Sequence, residues 1–145
     1  MELSNMLCFQ LAKAHQFFNR FYKKPLDRYH LTYVQYIVLI ALWNGDNITV
    51  NQLSKRVGLN NGTLTPLLKR LQKHGWVTRN RDPKDERKVI IGLTKLGKSR
   101  RSQVLHDTST CFENLDYDKK DYANAIQLIK NIESRLKVAI KKNAK

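Results

Sequence analysis

Acidic residues are scarce in this chain of 145: 12 Asp and Glu stand against 27 Lys and Arg, a formal charge of +15. That excess goes far beyond what solubility requires. It attracts polyanions, nucleic acid first, then a membrane surface or an acidic protein. Cysteine is also sparse: Cys8 and Cys111 lie too far apart for a CxxC redox motif or a zinc-ligand spacing. In a reducing compartment a structural disulfide is not expected, so each is read as a small buried hydrophobe or a reactive thiol. Long apolar runs are missing. The longest, "YIVLIALW", is too short to span a bilayer. The amphipathic start, "MELSNMLCFQLAKAHQFFNR", has no apolar stretch ending in small residues and so does not read as a secretory signal. The expectation is a soluble, cytoplasmic protein with no membrane partner. His15, His30, His74 and His106 have no ligand-like spacing, so neither a metal nor another cofactor is expected. Repeats, low-complexity stretches and Pro/Gly/Ser linkers are absent, which predicts one domain over 1–145. The 41% apolar content is enough to give it a core.

What is present is mostly helical periodicity. Leu3, Leu7, Leu11, Ala14, Phe18 and Phe21 recur at steps of three and four, with Pro25 ending the helix or stopping it soon after. Thr32 is the candidate cap of a second helix with inner face Tyr33, Ile37, Ile40 and Ala41, closing near Gly45. "TVNQLSKRVG" gives a short third helix with Val50, Leu53 and Val57 inward and Gly58 as its stop. Asn60 or Asn61 caps a fourth, whose inner stripe is Leu64, Leu67, Leu68 and Leu71 and which ends at Gly75. "WVTRN" and "KVIIGLT" read as two strands joined by "RDPKDER". A long helix starts near Thr94, loosened around Thr108–Thr110. A last helix starts near Asp116 or Asp118, with Tyr122, Ile126, Ile129, Ile132, Leu136 and Ile140 on one stripe.

The third and fourth helices, joined through a glycine, form a helix–turn–helix unit, whose second helix is the usual reader of the major groove. With its leucines inward, Gly62, Pro66, Lys69 and Lys73 face outward, flanked by Thr63, Thr65 and Arg70. Small and hydroxyl residues at the N-terminal end allow close approach to base edges, and the basic residues one turn later reach phosphates. Pro66 has no compositional reason at that place and forfeits one intrahelical hydrogen bond. The hairpin, with Arg87 in its turn and Lys88 opening its second strand, can enter the adjacent minor groove as a wing. Asp85 or Glu86 would orient Arg87 by a charge-assisted bond. The apolar stripes of the terminal helices have no partner in a compact winged-helix core, which predicts a homodimer.

At these residues the chain resembles the MarR (multiple antibiotic resistance regulator) family. "GTLTPLLKRL" and "DERKVIIGLT" are similar to its recognition helix and wing. The resemblance implies a mainly α fold with a small β-wing, the DNA-binding winged-helix region over 33–93 and dimerisation helices over 1–30 and 94–145. It further implies a homodimer that binds double-stranded DNA at pseudopalindromic operators, usually as a repressor. Thr63, Thr65 and Pro66 would then sit at the base-reading end, and Arg87 would be the wing-tip arginine supported by Asp85.

Within that family "LCFQLA" resembles the organic-hydroperoxide-sensing subgroup, a pattern shared by thiol-based virulence regulators of staphylococci. By that resemblance Cys8 is the reactive thiol, and Tyr22 and Tyr33 are the two tyrosines that reach it from the partner subunit. Cys111 stands where some members carry a second, resolving cysteine. Ala12 departs from the pattern, which has an aromatic residue there. Independently of the family, a thiol near a helix start and close to tyrosine hydroxyls is favoured as thiolate, and so reacts with peroxides. The expected protein is a transcription regulator, not an enzyme, released from DNA when an organic hydroperoxide or other oxidant modifies Cys8. Three alternatives stay open: a regulator answering to a small molecule, a thiol-dependent peroxidase and a sequence-independent nucleic-acid binder.

Overall fold

Capping chemistry sets where most of the helices begin. The structure, a computed structural model, describes residues 2–113 and 115–143, without the side chains of Cys111 and Phe112. A 3-10 turn, Leu3–Asn5, precedes α1 (Leu7–Asp27). Thr32 caps α2 (Tyr33–Trp43): its hydroxyl accepts from Gln35 N, and the Gln35 side chain accepts from Thr32 N. Thr49 and Gln52 repeat that box at α3 (Val50–Val57). Asn60 caps α4 (Asn61–Lys73) by accepting from Thr63 N at 2.8 Å. Thr94 caps the short α5 (Lys95–Ser99), after which come α6 (Arg101–Glu113) and α7 (Lys119–Asn143). Three strands, β1 (Ile48–Thr49), β2 (Val77–Asp82) and β3 (Asp85–Leu93), form an antiparallel sheet in the order β1-β3-β2. The mainly α architecture with a small β-wing is therefore the one expected.

The chain divides into two compact units, Met1–Cys111 and Phe112–Lys145. In the first, a single apolar core gathers Leu26, Val38, Leu39, Leu42, Leu53, Leu64, Leu68, Leu71, Trp76, Ile91 and Val104, all at most 1% exposed. It clamps the helix–turn–helix against α2 and the root of the hairpin. The second unit is built on α7, where Tyr122, Ile126, Ile129, Leu136 and Ile140 of the predicted stripe are exposed.

Several local expectations are corrected. The inner face of α2 is not Tyr33, Ile37 and Ile40, which are only half-buried; Val38, Leu39 and Leu42 are the residues excluded from water. α1 does stop soon after Pro25, two residues on at Asp27, as expected. The hairpin turn is much shorter than "RDPKDER", because β2 and β3 continue through the charged residues to Asp82 and Asp85. The helix after the wing breaks at Arg100, not at Thr108–Thr110. There the Trp43 indole N–H donates to the Gly97 carbonyl, which an unbroken helix would offer to Arg101. Glycine is required at 97, since a Cβ would collide with the Trp76 carbonyl. Thr108 is held inside α6 by bonds to the Val104 carbonyl and the Tyr36 hydroxyl.

Candidate functional site

Two groups of predicted residues occupy the first unit, one on the helix–turn–helix and wing, the other on α1 and α2. On α4 the leucines point inward, Leu64 and Leu68 at 0% exposure, with Leu67 half-buried at the edge. That turns Gly62, Thr63, Pro66, Lys69, Arg70 and Lys73 to solvent, with Thr65 partly covered. Pro66 lies inside the helix. It removes the bond to the carbonyl of Gly62, and its ring crowds that same carbonyl. The N-terminal end of the helix thus presents small groups and one carbonyl freed from the ladder. Asn61, which sequence reasoning treated only as a cap, instead donates to the Asn51 side chain at 2.6 Å and ties together the starts of α3 and α4. Arg56 was also missed as a brace. It donates to the carbonyls of Ala41 and Gly45 at 2.9 and 2.8 Å, fixing α3 beneath the end of α2.

The wing owes its shape to a break in the ladder. Pairing steps from Arg81↔Val89 to Asp82↔Asp85, so Glu86, Arg87 and Lys88 are extra residues on β3 with no place in the β2 register. Arg81 closes this bulge by donating to the Glu86 carbonyl at 2.7 Å. Asp85, not Glu86, is the carboxylate that orients Arg87: its Oδ1 accepts from the Arg87 backbone N–H and from Nε, both at 3.2 Å. Its other oxygen pairs with Lys88 at 3.3 Å. The Arg87 side-chain bond, then its backbone N–H and then Lys88 hold the Asp85 carboxyl below the ordinary aspartate range. The Arg87 side chain is 93% exposed. A guanidinium anchored through Nε and otherwise open to solvent is available to an anionic surface.

The thiol and the tyrosines are separate within the chain. Cys8 is the second residue of α1 and is exposed. Tyr22 stacks on Tyr33, ring centroids 5.0 Å apart at 19°, with Tyr36 tilted against Tyr22 at 5.8 Å and His15 beside Tyr33 at 6.1 Å. The side chain of Cys111 lies outside the described residues. Among the described residues no group of three His, Cys, Asp or Glu could hold a metal, and no helix is long and apolar enough to cross a membrane.

A helix–turn–helix with a solvated basic face, flanked by a bulged basic hairpin, defines the class: a DNA-binding winged-helix transcriptional regulator. Comparison with known proteins makes this specific. Residues 20–104 match the family model of the transcriptional regulators SarA/Rot. The HTH-type transcriptional regulator SarZ of Staphylococcus aureus is 36% identical over 133 residues, 92% of this chain and 90% of that one. The organic hydroperoxide resistance transcriptional regulator of Bacillus subtilis is 42% identical over 97 residues, 67% of this chain and 66% of that one. Reduced AbfR of Staphylococcus epidermidis bound to DNA is 37% identical with a TM-score of 0.81, covering 93% of this chain and 91% of that one. Its disulfide form is 36% identical with a TM-score of 0.65, covering 96% and 92%. MarR, at 20% identity and a TM-score of 0.74 over 90% of this chain and 96% of its own, shares the fold. The chain belongs to the MarR/SarA type of transcriptional regulators. The matched proteins are regulators, not enzymes.

Proposed function

We propose that the chain acts as a homodimeric repressor, released from a pseudopalindromic operator when an organic hydroperoxide or another oxidant modifies Cys8. The observation that carries this reading is a separation. Tyr22 lies fourteen residues beyond Cys8 on one helix, about 21 Å along its axis, and its ring is stacked on Tyr33. A Cys8 thiol served by these two tyrosines would therefore meet those of a second chain. Exposed apolar residues on α1, among them Leu7, Phe17 and Phe18, and on α7 offer surface for that pairing. In the dimer two α4 helices enter successive major grooves, Thr63, Thr65 and Pro66 approach base edges, and Lys69, Arg70 and Lys73 reach phosphates. Arg87, with Lys88 beside it, enters the flanking minor groove.

The Cys8 thiolate attacks the peroxide bond, taking one oxygen as sulfenic acid and expelling the alkoxide, which leaves as alcohol. A second thiol, from Cys111 or a small molecule, condenses with the sulfenic acid, losing water and forming a disulfide. Either product removes the thiolate that the tyrosines hold and alters the helices that space the two readers. The B. subtilis relative is named for organic hydroperoxide resistance. That name supports the redox reading. A coupling of about 1–3 kcal/mol weakens operator binding about 5- to 150-fold.

Operator affinity of the wild type and of Cys8→Ser, measured before hydroperoxide, after it and after reductant, tests the reading. The wild type should release and recover; Cys8→Ser should bind and ignore the oxidant. Peroxide release that persists in Cys8→Ser overturns the sensor assignment. A second reading, a regulator answering to a small molecule, draws on a cleft of about 250 Å³ lined by Leu42, Trp43, Asp46, Leu93, Lys98 and Arg101. It predicts release by a ligand that Cys8→Ser does not affect.

A further inference from the structure

Three helices of the first unit are followed by a residue in the left-handed region, and two of them use glycine: Gly58 after α3 at φ 70° and Gly75 after α4 at φ 76°. After α1 the residue is His30, at φ 54°. The hydrogen bonding around the two turns is alike. Leu31 N donates to the Leu26 carbonyl across His30, as Trp76 N donates to the Leu71 carbonyl across Gly75. A histidine there bears a conformational cost that glycine avoids, so its side chain needs a reason. It faces His74, the C-cap of α4, with ring centroids 6.1 Å apart and planes at 80°. Both histidines are exposed. Beneath them Tyr29 packs edge-on against Trp76, centroids 6.4 Å apart, the two residues 6% and 1% exposed. A buried aromatic pair thus fixes the distance between the two turns, and an exposed imidazole pair sits on the same turns in solvent.

We propose that His30 and His74 form a two-histidine site for a borderline divalent transition cation of the Zn²⁺ class. Imidazole suits zinc, copper and nickel alike. With metal–nitrogen distances of about 2.0–2.1 Å, one ion shared by two imidazoles holds their centres about 5–6 Å apart. Rotation of two exposed side chains converts the observed contact into a chelate, and the backbone need not move. Neither ring has a hydrogen-bond partner among the described residues, so no protein contact is displaced. No third protein ligand joins them among the described residues, which leaves the ion open positions for water or an outside anion and sets it apart from a closed structural zinc site. The ion ties the turn that ends the reading helix to the turn that ends α1. The site does not depend on the thiol reading. Its ligands lie 44 positions apart in sequence and are brought together by core packing that includes Tyr29 on Trp76, which is why histidine spacing gave no sign of it.

The test is a Zn²⁺ titration of the untagged full chain under reducing conditions, in competition with a chromophoric chelator. His30→Asn keeps a residue that tolerates the left-handed conformation, and His74→Gln keeps an exposed polar cap. The expected result is one Zn²⁺ per chain whose affinity falls about tenfold or more in either variant, because the second ligand's effective concentration is lost. The double variant should lose little more than the single ones. In a Cys8→Ser/Cys111→Ser background this component should persist. Zinc affinity unchanged in His74→Gln, or a single component that disappears with the cysteines and survives both histidine variants, overturns the assignment.

Discussion

α2 and α7 are both rich in apolar residues, yet seven of the 11 residues of α2 are buried while the 25-residue α7 has none buried among those described. The difference separates what the chain settles alone from what it leaves to others. α2 is covered by α1, α3, α4 and β3, so the reading head is shaped by intrachain packing. α7 keeps Leu128, Leu136, Val138 and Ile140 more than half exposed. The proposed dimer would cover a surface of that kind, and a switch on its terminal helices would change the spacing of two readers without reshaping either.

The largest effect should come from breaking the buried side of this comparison. Leu39 is 0% exposed at the centre of the core. Leu39→Ala should cost about 2–5 kcal/mol by lost burial and a cavity, read as a shift in urea midpoint. A loss under 1 kcal/mol, roughly what an exposed position shows, would mean that α2 is not the keystone. The exposed side should fail differently. Replacing Ile126 and Ile129 together by Asp should convert the proposed dimer to monomer by sedimentation, while the emission of Trp43 and Trp76 in the first unit stays native. A dimer that survives both changes would remove α7 from the interface.

A smaller effect probes the tie between the end of α1 and α6. The Tyr29 hydroxyl donates to Asp107 at 2.5 Å, and Arg28 pairs with the same oxygen at 2.8 Å. Tyr29, ahead of Arg28 and Gln103, holds Asp107 below the ordinary 3.8, against burial that raises it. Burial first, and then Asp107, raise Tyr29 above 10.0. The depressed carboxyl stabilises the fold above the unfolded aspartate value and loses this as pH falls through its folded pKa. The raised phenol contributes below its unfolded value and loses this as pH rises through its folded one. Tyr29→Phe should therefore cost about 1.5 kcal/mol at pH 7, with the gap from wild type closing below pH 3.8. A gap constant down to the acid transition would contradict the bond.

The features legible in the sequence were those with local causes. Thr32, Asn60 and the stripe of α4 follow from capping and a clear apolar period, and α4 places the expected polar residues outward. α2 was misread because "YVQYIVLIALW" is apolar all round, and periodicity cannot choose a face when nearly every face is buried. β1 is two residues long and exists only through pairing with Ile90 and Ile91. The break at Arg100 depends on Trp43, far away in sequence. In the wing the charges were readable but the three-residue bulge was not, since register is a property of two strands. The stacking of Tyr22 on Tyr33 likewise required the packing of α1 on α2.

The central claim is that the thiol of one chain is served by the tyrosines of another. Its most direct measurement uses a heterodimer of two defective chains, Cys8→Ser with both tyrosines intact and Tyr22→Phe/Tyr33→Phe with Cys8 intact. Shared between chains, the site is rebuilt once: the Cys8 of the second chain meets the tyrosines of the first. Stopped-flow oxidation by an organic hydroperoxide should then show one fast-reacting thiol per heterodimer, absent from both parent homodimers. A heterodimer as slow as the tyrosine variant alone would contradict the account.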